Sequence, residues 1–197
     1  KNGDKNSNDP RNDKRIYNVL KKEGKIAENT SSQASSGITV QTPVTLSNND
    51  ISSYAKVNES LRIKMVSGKY YEDWNPGAYM GTNWEGQFVI DLADESGKTI
   101  AETDLSKMFN EPLLFNSSVD LEFEDYDNDG DLDFTIGQYG SSNGRVYKIF
   151  TLKKDGIVEQ LPIKDHPDLF ICNTTGNYST RLNKINGDTF EIEYYNN

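Results

Sequence analysis

Five aspartates within nine residues carry the densest chemistry of this chain: Asp125-Tyr-Asp-Asn-Asp-Gly-Asp-Leu-Asp133. Asp125, Asp127 and Asp129 alternate, Gly130 follows, and Asp131 and Asp133 hold the seventh and ninth places. No basic residue falls between Asp120 and Asp133. Like charges held this close oppose folding, and a bound cation removes that cost. Zinc prefers nitrogen and sulfur donors, and none lies nearby. Magnesium demands a tighter octahedral shell, whereas calcium accepts six to eight oxygens in a flexible one. Ca²⁺ is therefore the expected ion. Side-chain oxygens of Asp125, Asp127 and Asp129 are expected to converge as the loop curls, with Asp133 closing the far side. Asp131 is expected to give its backbone carbonyl, and Gly130 permits the reversal without a Cβ clash.

The flanking residues must position that loop. Val119, Leu121 and Phe123 alternate with Asp120, Glu122 and Glu124, and Leu132, Phe134 and Ile136 resume the period after the loop. Alternation of this kind predicts half-buried strands. The loop thus joins two strands. A helix–loop–helix calcium site would want Glu at the twelfth position, where this chain has Ile136.

Further strands are predicted at Leu61–Val66, Phe88–Leu92, Thr99–Leu105 and Val146–Thr151, the last apolar on both faces. Leu105–Phe109 reads as one helical turn. Ser67-Gly68 reads as a turn, and Tyr70–Tyr79 is too rich in turn formers to be regular throughout. Asp155-Gly156 is a hairpin turn toward Ile157–Leu161, and Asn186-Gly187 joins Tyr178–Leu182 to Phe190–Tyr194. Roughly eight or nine strands predict an all-β fold, an irregular propeller-like or sandwich-like antiparallel domain with one strand-loop-strand calcium site.

Residues 1–37 read as a flexible leader and linker, with a short helix or a strand at 16–23. Residues 38–197 form the β domain, compact from about residue 53. Ile38–Leu46 reads as an extended arm whose Pro43 suits an edge.

The chain has 197 residues and a formal net charge of -10. That charge excludes a general nucleic-acid binder. No apolar run is long enough for a membrane-spanning helix. The sequence opens at Lys1 with no apolar signal segment, so a cytosolic protein or a removed signal is expected. Cys172 is the only cysteine, which rules out an internal disulfide and suits a buried structural thiol. His166 is the only histidine and reads as a loop residue. Neither a phosphate loop nor a nucleophile elbow is present. Tyr70, Tyr71, Trp74, Tyr79 and Trp84 crowd one turn-rich region. Exposed, they would form a surface that stacks on sugar rings or anchors a protein; otherwise they pack the core.

The segment Asp125-Tyr-Asp-Asn-Asp-Gly-Asp-Leu-Asp-Phe-Thr-Ile-Gly137 resembles the calcium loop of FG-GAP or VCBS-type repeats, which join two strands in propeller blades of integrin-like and bacterial surface proteins. The resemblance implies side-chain ligation by Asp125, Asp127, Asp129 and Asp133 and carbonyl ligation by Asp131. The motif occurs once, and a full propeller needs several blades. More broadly, Asn116–Leu161 is similar to small bacterial envelope proteins, some of them like periplasmic lysozyme inhibitors. That similarity implies an extracytoplasmic place, secreted or as a surface lipoprotein whose precursor carries a lipid anchor. The expectation is a calcium-binding β domain that binds a protein or a glycan. One alternative is an inhibitor of a basic cell-wall hydrolase such as lysozyme, reached by acidic steering. Another is a polysaccharide hydrolase, which would need two opposed carboxylates.

Overall fold

The computed structural model describes residues 37–109, 111–164, 166, 168–174, 176–187 and 189–192. The expected leader, the 16–23 element and the end of the last strand lie outside the described residues.

A long hairpin organises the first sheet: β3 (Glu59–Asp73) and β4 (Gly81–Asp94) pair antiparallel along their whole length. Leu61, Ile63 and Met65 of β3 and Phe88, Ile90 and Leu92 of β4 are buried on its inner face. Full burial of such a side chain contributes roughly 1.5–3 kcal/mol.

Ser67-Gly68 does not turn the chain, contrary to the sequence reading. The strand continues to Asp73 through a bulge between Met65 and Ser67, and Gly68 lies opposite Gly86. A Cβ on Gly68 would stand 2.2 Å from the Glu85 carbonyl oxygen, and one on Gly86 2.2 Å from that of Ser67. The glycines mark a close approach of two backbones. The reversal comes later, at 74–80.

Strands β1 (Ile38–Val40) and β2 (Val44–Asp50) lie end to end along the outer edge of β3, with Pro43 at the break. Val40, Val44 and Leu46 are buried, so the segment read as an arm is woven into the sheet. Along the other edge, β4 pairs with β5 (Thr99–Asp104) and β6 (Leu113–Phe115). Between them Leu105–Met108 forms the expected helical turn, of the 3-10 type, capped by Asp104 accepting the Ser106 N–H. A one-turn helix, α1 (Ser52–Ala55), precedes β3.

The second sheet is built on the hairpin of β8 (Leu132–Ser141) and β9 (Gly144–Leu152). The two-residue β7 (Phe123–Glu124) borders β8; β10 (Val158–Leu161) and β11 (Leu169–Cys172) lie along β9. Leu132, Phe134, Ile136 and Phe150 share one core with the inner face of the first sheet. Tyr147 and Ile149 point the other way and pack with Tyr126, Leu169 and Leu182. The second sheet is thus covered on both faces, as the double-sided apolar pattern of Val146–Thr151 predicts. A C-terminal hairpin, β12 (Asn183–Asn186) and β13 (Thr189–Glu191), lies over this outer face.

Two predicted strands are shorter or absent for one reason. Val119 and Leu121 are buried as expected, but the Leu121 N–H goes to Asn49 Oδ1 at 2.8 Å and the Glu122 N–H to Ser179 Oγ at 3.0 Å. Within 178–182, the Thr180 N–H goes to Thr135 Oγ1 at 2.8 Å and the Leu182 N–H to the Tyr126 hydroxyl at 2.9 Å. Side chains take donors that a ladder would have used, and the backbone stays satisfied without a strand. The architecture is all-β, two antiparallel sheets face to face with no barrel closure: an irregular sandwich.

Candidate metal centre

Strand register brings the ends of the acidic loop together. Glu124 pairs with Asp133, so Asp125 leaves β7 beside the residue at which the loop re-enters β8. Asx-type hydrogen bonds curl the loop between them. Asp125 Oδ2 accepts the Gly130 N–H at 3.2 Å, Asp127 Oδ1 the Asp129 N–H at 3.2 Å, and Asp129 Oδ1 the Asp131 N–H at 2.8 Å. Asn128 (φ 61°) and Gly130 (φ 84°) take left-handed conformations that such a curl requires.

Carboxylate oxygens of Asp125, Asp127 and Asp133 lie within 4.8 Å of one another. Asp133 is fully buried, and its Oδ2 accepts the Tyr126 N–H at 2.7 Å. Asp125 Oδ1 and Asp133 Oδ1 are buried without a hydrogen-bond partner among the described residues. Burial first, and then Asp127 and Asp129, push the Asp133 carboxyl up to about 6 against the Tyr126 N–H and the Thr151 hydroxyl, which lies beside it but outside hydrogen-bond geometry. Buried acceptors of one sign, gathered and unpartnered, are costly unless a cation joins them. An all-oxygen donor set of this shape fits a hard metal ion, and this cluster could hold one.

The other two aspartates are placed differently. Lys153, which follows β9, sets its Nζ 2.9 Å from Asp131 Oδ2 and 3.3 Å from Asp129 Oδ2. The Asp131 N–H, and after it Lys153, hold the Asp129 carboxyl below the usual carboxylate range. Asp129 was expected to give a side-chain oxygen to the ion; here its carboxylate is committed to Asp131 N–H and Lys153. A second lysine, Lys184 of β12, donates to the Asp125 carbonyl and to Asn128 Oδ1. The loop is therefore less charge-isolated than its own sequence says. Its balancing lysines come from distant segments, and nothing in the loop signals them.

The second loop residue, Tyr126, drew no attention in the sequence. Its ring is buried on the outer face of the second sheet, 5.9 Å from the Phe190 ring centroid, and its hydroxyl accepts the Leu182 N–H.

The five clustered aromatics divide. Tyr70 and Trp84 are register partners with ring centroids 4.5 Å apart, and both are buried in the core. They therefore belong to no exposed ligand surface, because their side of the hairpin faces the second sheet. Tyr71 is half-buried, and its hydroxyl is pushed up to about 12, by burial first and then by Glu85. Trp74 and Tyr79 are exposed. Tyr79 meets Tyr139 from the tip of the β8–β9 hairpin, ring centroids 5.3 Å apart. Tyr139 was missed because 60 residues separate the two in sequence.

Cys172 is half-buried in β11, and His166 is an exposed loop residue. Compared with protein-family models, curated proteins and solved structures, the chain matches none.

Proposed function

We propose that this chain is a calcium-stapled β domain that acts by binding, outside the cytoplasm. The observation that carries the metal is the pair of unpartnered buried oxygens, Asp125 Oδ1 and Asp133 Oδ1, gathered with the Asp127 carboxylate. Asp125, Asp127 and Asp133 would hold the ion. Its charge would offset their repulsion and fasten the β7–β8 connection. The likeness of the loop to FG-GAP and VCBS calcium loops supports the same ion. Two lysines already serve the loop, so affinity is expected to be modest. Calcium modules working outside cells bind on the order of 10⁻⁴–10⁻³ M, and this site suits that range. Exposed Trp74 and Tyr79 at the tip of the long hairpin support a binding role, since aromatic clusters in solvent mark contact surfaces.

The test is calcium titration by calorimetry together with thermal melts of the wild-type protein and Asp133→Asn. Saturable uptake of one Ca²⁺ with a higher Tm is expected for the wild type, and neither for the variant. A wild-type protein that takes up no Ca²⁺ at several millimolar would overturn the reading.

A further inference from the structure

We propose that the tip formed by the 74–80 connection and the β8–β9 hairpin is a docking surface for a cationic protein segment presenting Arg or Lys side chains. This inference rests on the reading of the chain as a binding domain and names the surface and its partner. Four of the large hydrophobic side chains left in solvent lie on it: Trp74 (46% exposed), Tyr79 (37%) and Met80 (38%) in the 74–80 connection, and Tyr139 (41%) near the end of β8. Tyr79 and Tyr139 touch across the two hairpins. Gln138 Oε1 accepts the Leu114 N–H at 2.9 Å, which draws the end of β8 against β6 and sets Tyr139 beside Tyr79.

The patch has an acidic surround. Glu72 accepts from the Trp74 indole N–H at 3.1 Å, and Asp73 lies at the end of β3. Glu85 and Glu111 lie close enough to act on Tyr79, as does Arg145 with the opposite sign. Among the described residues, Lys69 and Arg145 are the basic groups whose register places them beside the patch. Lys69 stands opposite Glu85 in register; Arg145, partner of Tyr139 in register, is 7% exposed with its guanidinium 3.8 Å over the Tyr178 ring. Arg145 is thereby withdrawn from solvent. The carboxylates of this region outnumber its cations, and exposed ring faces beside them suit a guanidinium or ammonium, which gains cation–π contact on the rings and charge pairing at the rim. The formal net charge of -10 steers the same kind of partner toward the protein. Tyr139 lies six residues along β8 from Asp133, roughly 20 Å at about 3.3 Å per residue, so the surface is separate from the metal centre.

Trp84 is buried, so Trp74 is the natural fluorescent reporter. Hexa-arginine is titrated into the calcium-loaded protein at about 0.15 M salt while tryptophan emission is followed. Saturable change is expected, absent in Trp74→Phe and at least tenfold weaker in affinity for Tyr79→Ala/Tyr139→Ala, both exposed positions. Unchanged melting and calcium uptake of that double variant certify its fold. Glu111→Lys and Glu159→Lys alter net charge equally, but Glu159 is exposed on β10, beside Thr151 and away from the patch. Only Glu111→Lys should weaken binding strongly. Equal weakening by the two would mean diffuse acidic attraction and would overturn the proposal. So would an absence of peptide binding, or emission changes produced by a neutral glucose hexasaccharide and not by the peptide; the last leaves a binding domain standing with a glycan as its ligand. Failure of calcium uptake bears on the metal reading alone.

Discussion

Lys184 of the C-terminal hairpin donates its Nζ to the backbone carbonyl of Asp125, the first residue of the acidic loop. Three more bonds join the same regions: Lys184 Nζ to Asn128 Oδ1, the Leu182 N–H to the Tyr126 hydroxyl, and Arg181 Nη2 to the Phe123 carbonyl at 2.8 Å. The loop that would hold the metal therefore also holds the end of the described chain.

Calcium is expected to slow hydrogen exchange beyond the loop. Addition of Ca²⁺ should protect the amides of Leu182 and of β12 as well as those of 125–131. Tyr126→Phe should lose much of the distant protection, and about 1–3 kcal/mol of stability, because the Leu182 N–H loses its acceptor. Exchange mass spectrometry with and without Ca²⁺ reads both. Protection confined to 125–131 would show that the two regions are not coupled.

Asp133→Asn separates the cost of the acidic cluster from the benefit of the ion. The amide oxygen can still accept the Tyr126 N–H, while one buried negative charge disappears. Without calcium, the variant should melt at or above the wild-type temperature. Bound ligand at one hundred times its Kd adds about 2.7 kcal/mol, and the variant should show none of that gain. Paired melts in chelator and in calcium provide the comparison, and a variant that melts well below wild type in chelator would contradict it.

Asp91 should set the acid limb of stability. It is fully buried on the outer side of the first sheet, and Arg62 grips both its oxygens at 2.9 and 2.6 Å, with Lys64 at 2.9 Å. Burial alone would raise its carboxyl, but Arg62, Thr99 and Lys64 outweigh that and lower it from an ordinary 3.8 to about 2. The folded value lies below the ordinary one, so the contribution is complete above about pH 4 and lost as pH falls toward about 2. Asp91→Ala should cost about 3–5 kcal/mol at neutral pH, since Arg62 loses its only carboxylate among the described residues and Lys64 is left with Glu102 alone. Denaturant melts between pH 2 and 7 should show a flatter acid limb for the variant.

Two glycines separate strain from collision. Gly130→Ala meets no atom within 4 Å, so only its left-handed backbone (φ 84°) resists, at about 1–2 kcal/mol. Gly86→Ala would drive a Cβ to 2.2 Å from the Ser67 oxygen and 2.7 Å from Gly68 Cα, and should cost well beyond that. Urea melts that rank the two the other way would refute this account of the bulge.

Periodicity made much of the fold readable. Leu61–Met65, Phe88–Leu92, Leu132–Ile136 and Val146–Thr151 are strands whose apolar sides face the cores where alternation places them. The errors have local causes. Gly68 carried a turn signal, yet its missing Cβ serves strand contact. The run 119–122 alternates like a strand, yet Asn49 and Ser179 capture its donors. At the site, carboxylate spacing pointed to the side chains of Asp125, Asp127, Asp129 and Asp133 and to the carbonyl of Asp131, and the structure gathers the carboxylates of Asp125, Asp127 and Asp133. The pairing of Asp129 and Asp131 with Lys153 is a matter of tertiary geometry that the loop does not signal. Burial of Tyr70 and Trp84 depended on strand parity beyond the bulge, which a run of turn formers concealed, and Trp74 is exposed because it lies past the end of β3 in the 74–80 connection.

That parity is fixed by one residue. Val66 is the extra residue of β3 between the Met65–Phe88 and Ser67–Gln87 pairs. Before it the odd positions of the strand look inward; after it Tyr70 does. Were Val66 instead paired with Gln87, every later side chain of the strand would invert, sending the Tyr70 ring to water and the Tyr71 ring into the interior, whereas its deletion would heal the ladder and leave Tyr70 against Trp84. A single bulge thus decides which aromatic face the hairpin shows to the outside world.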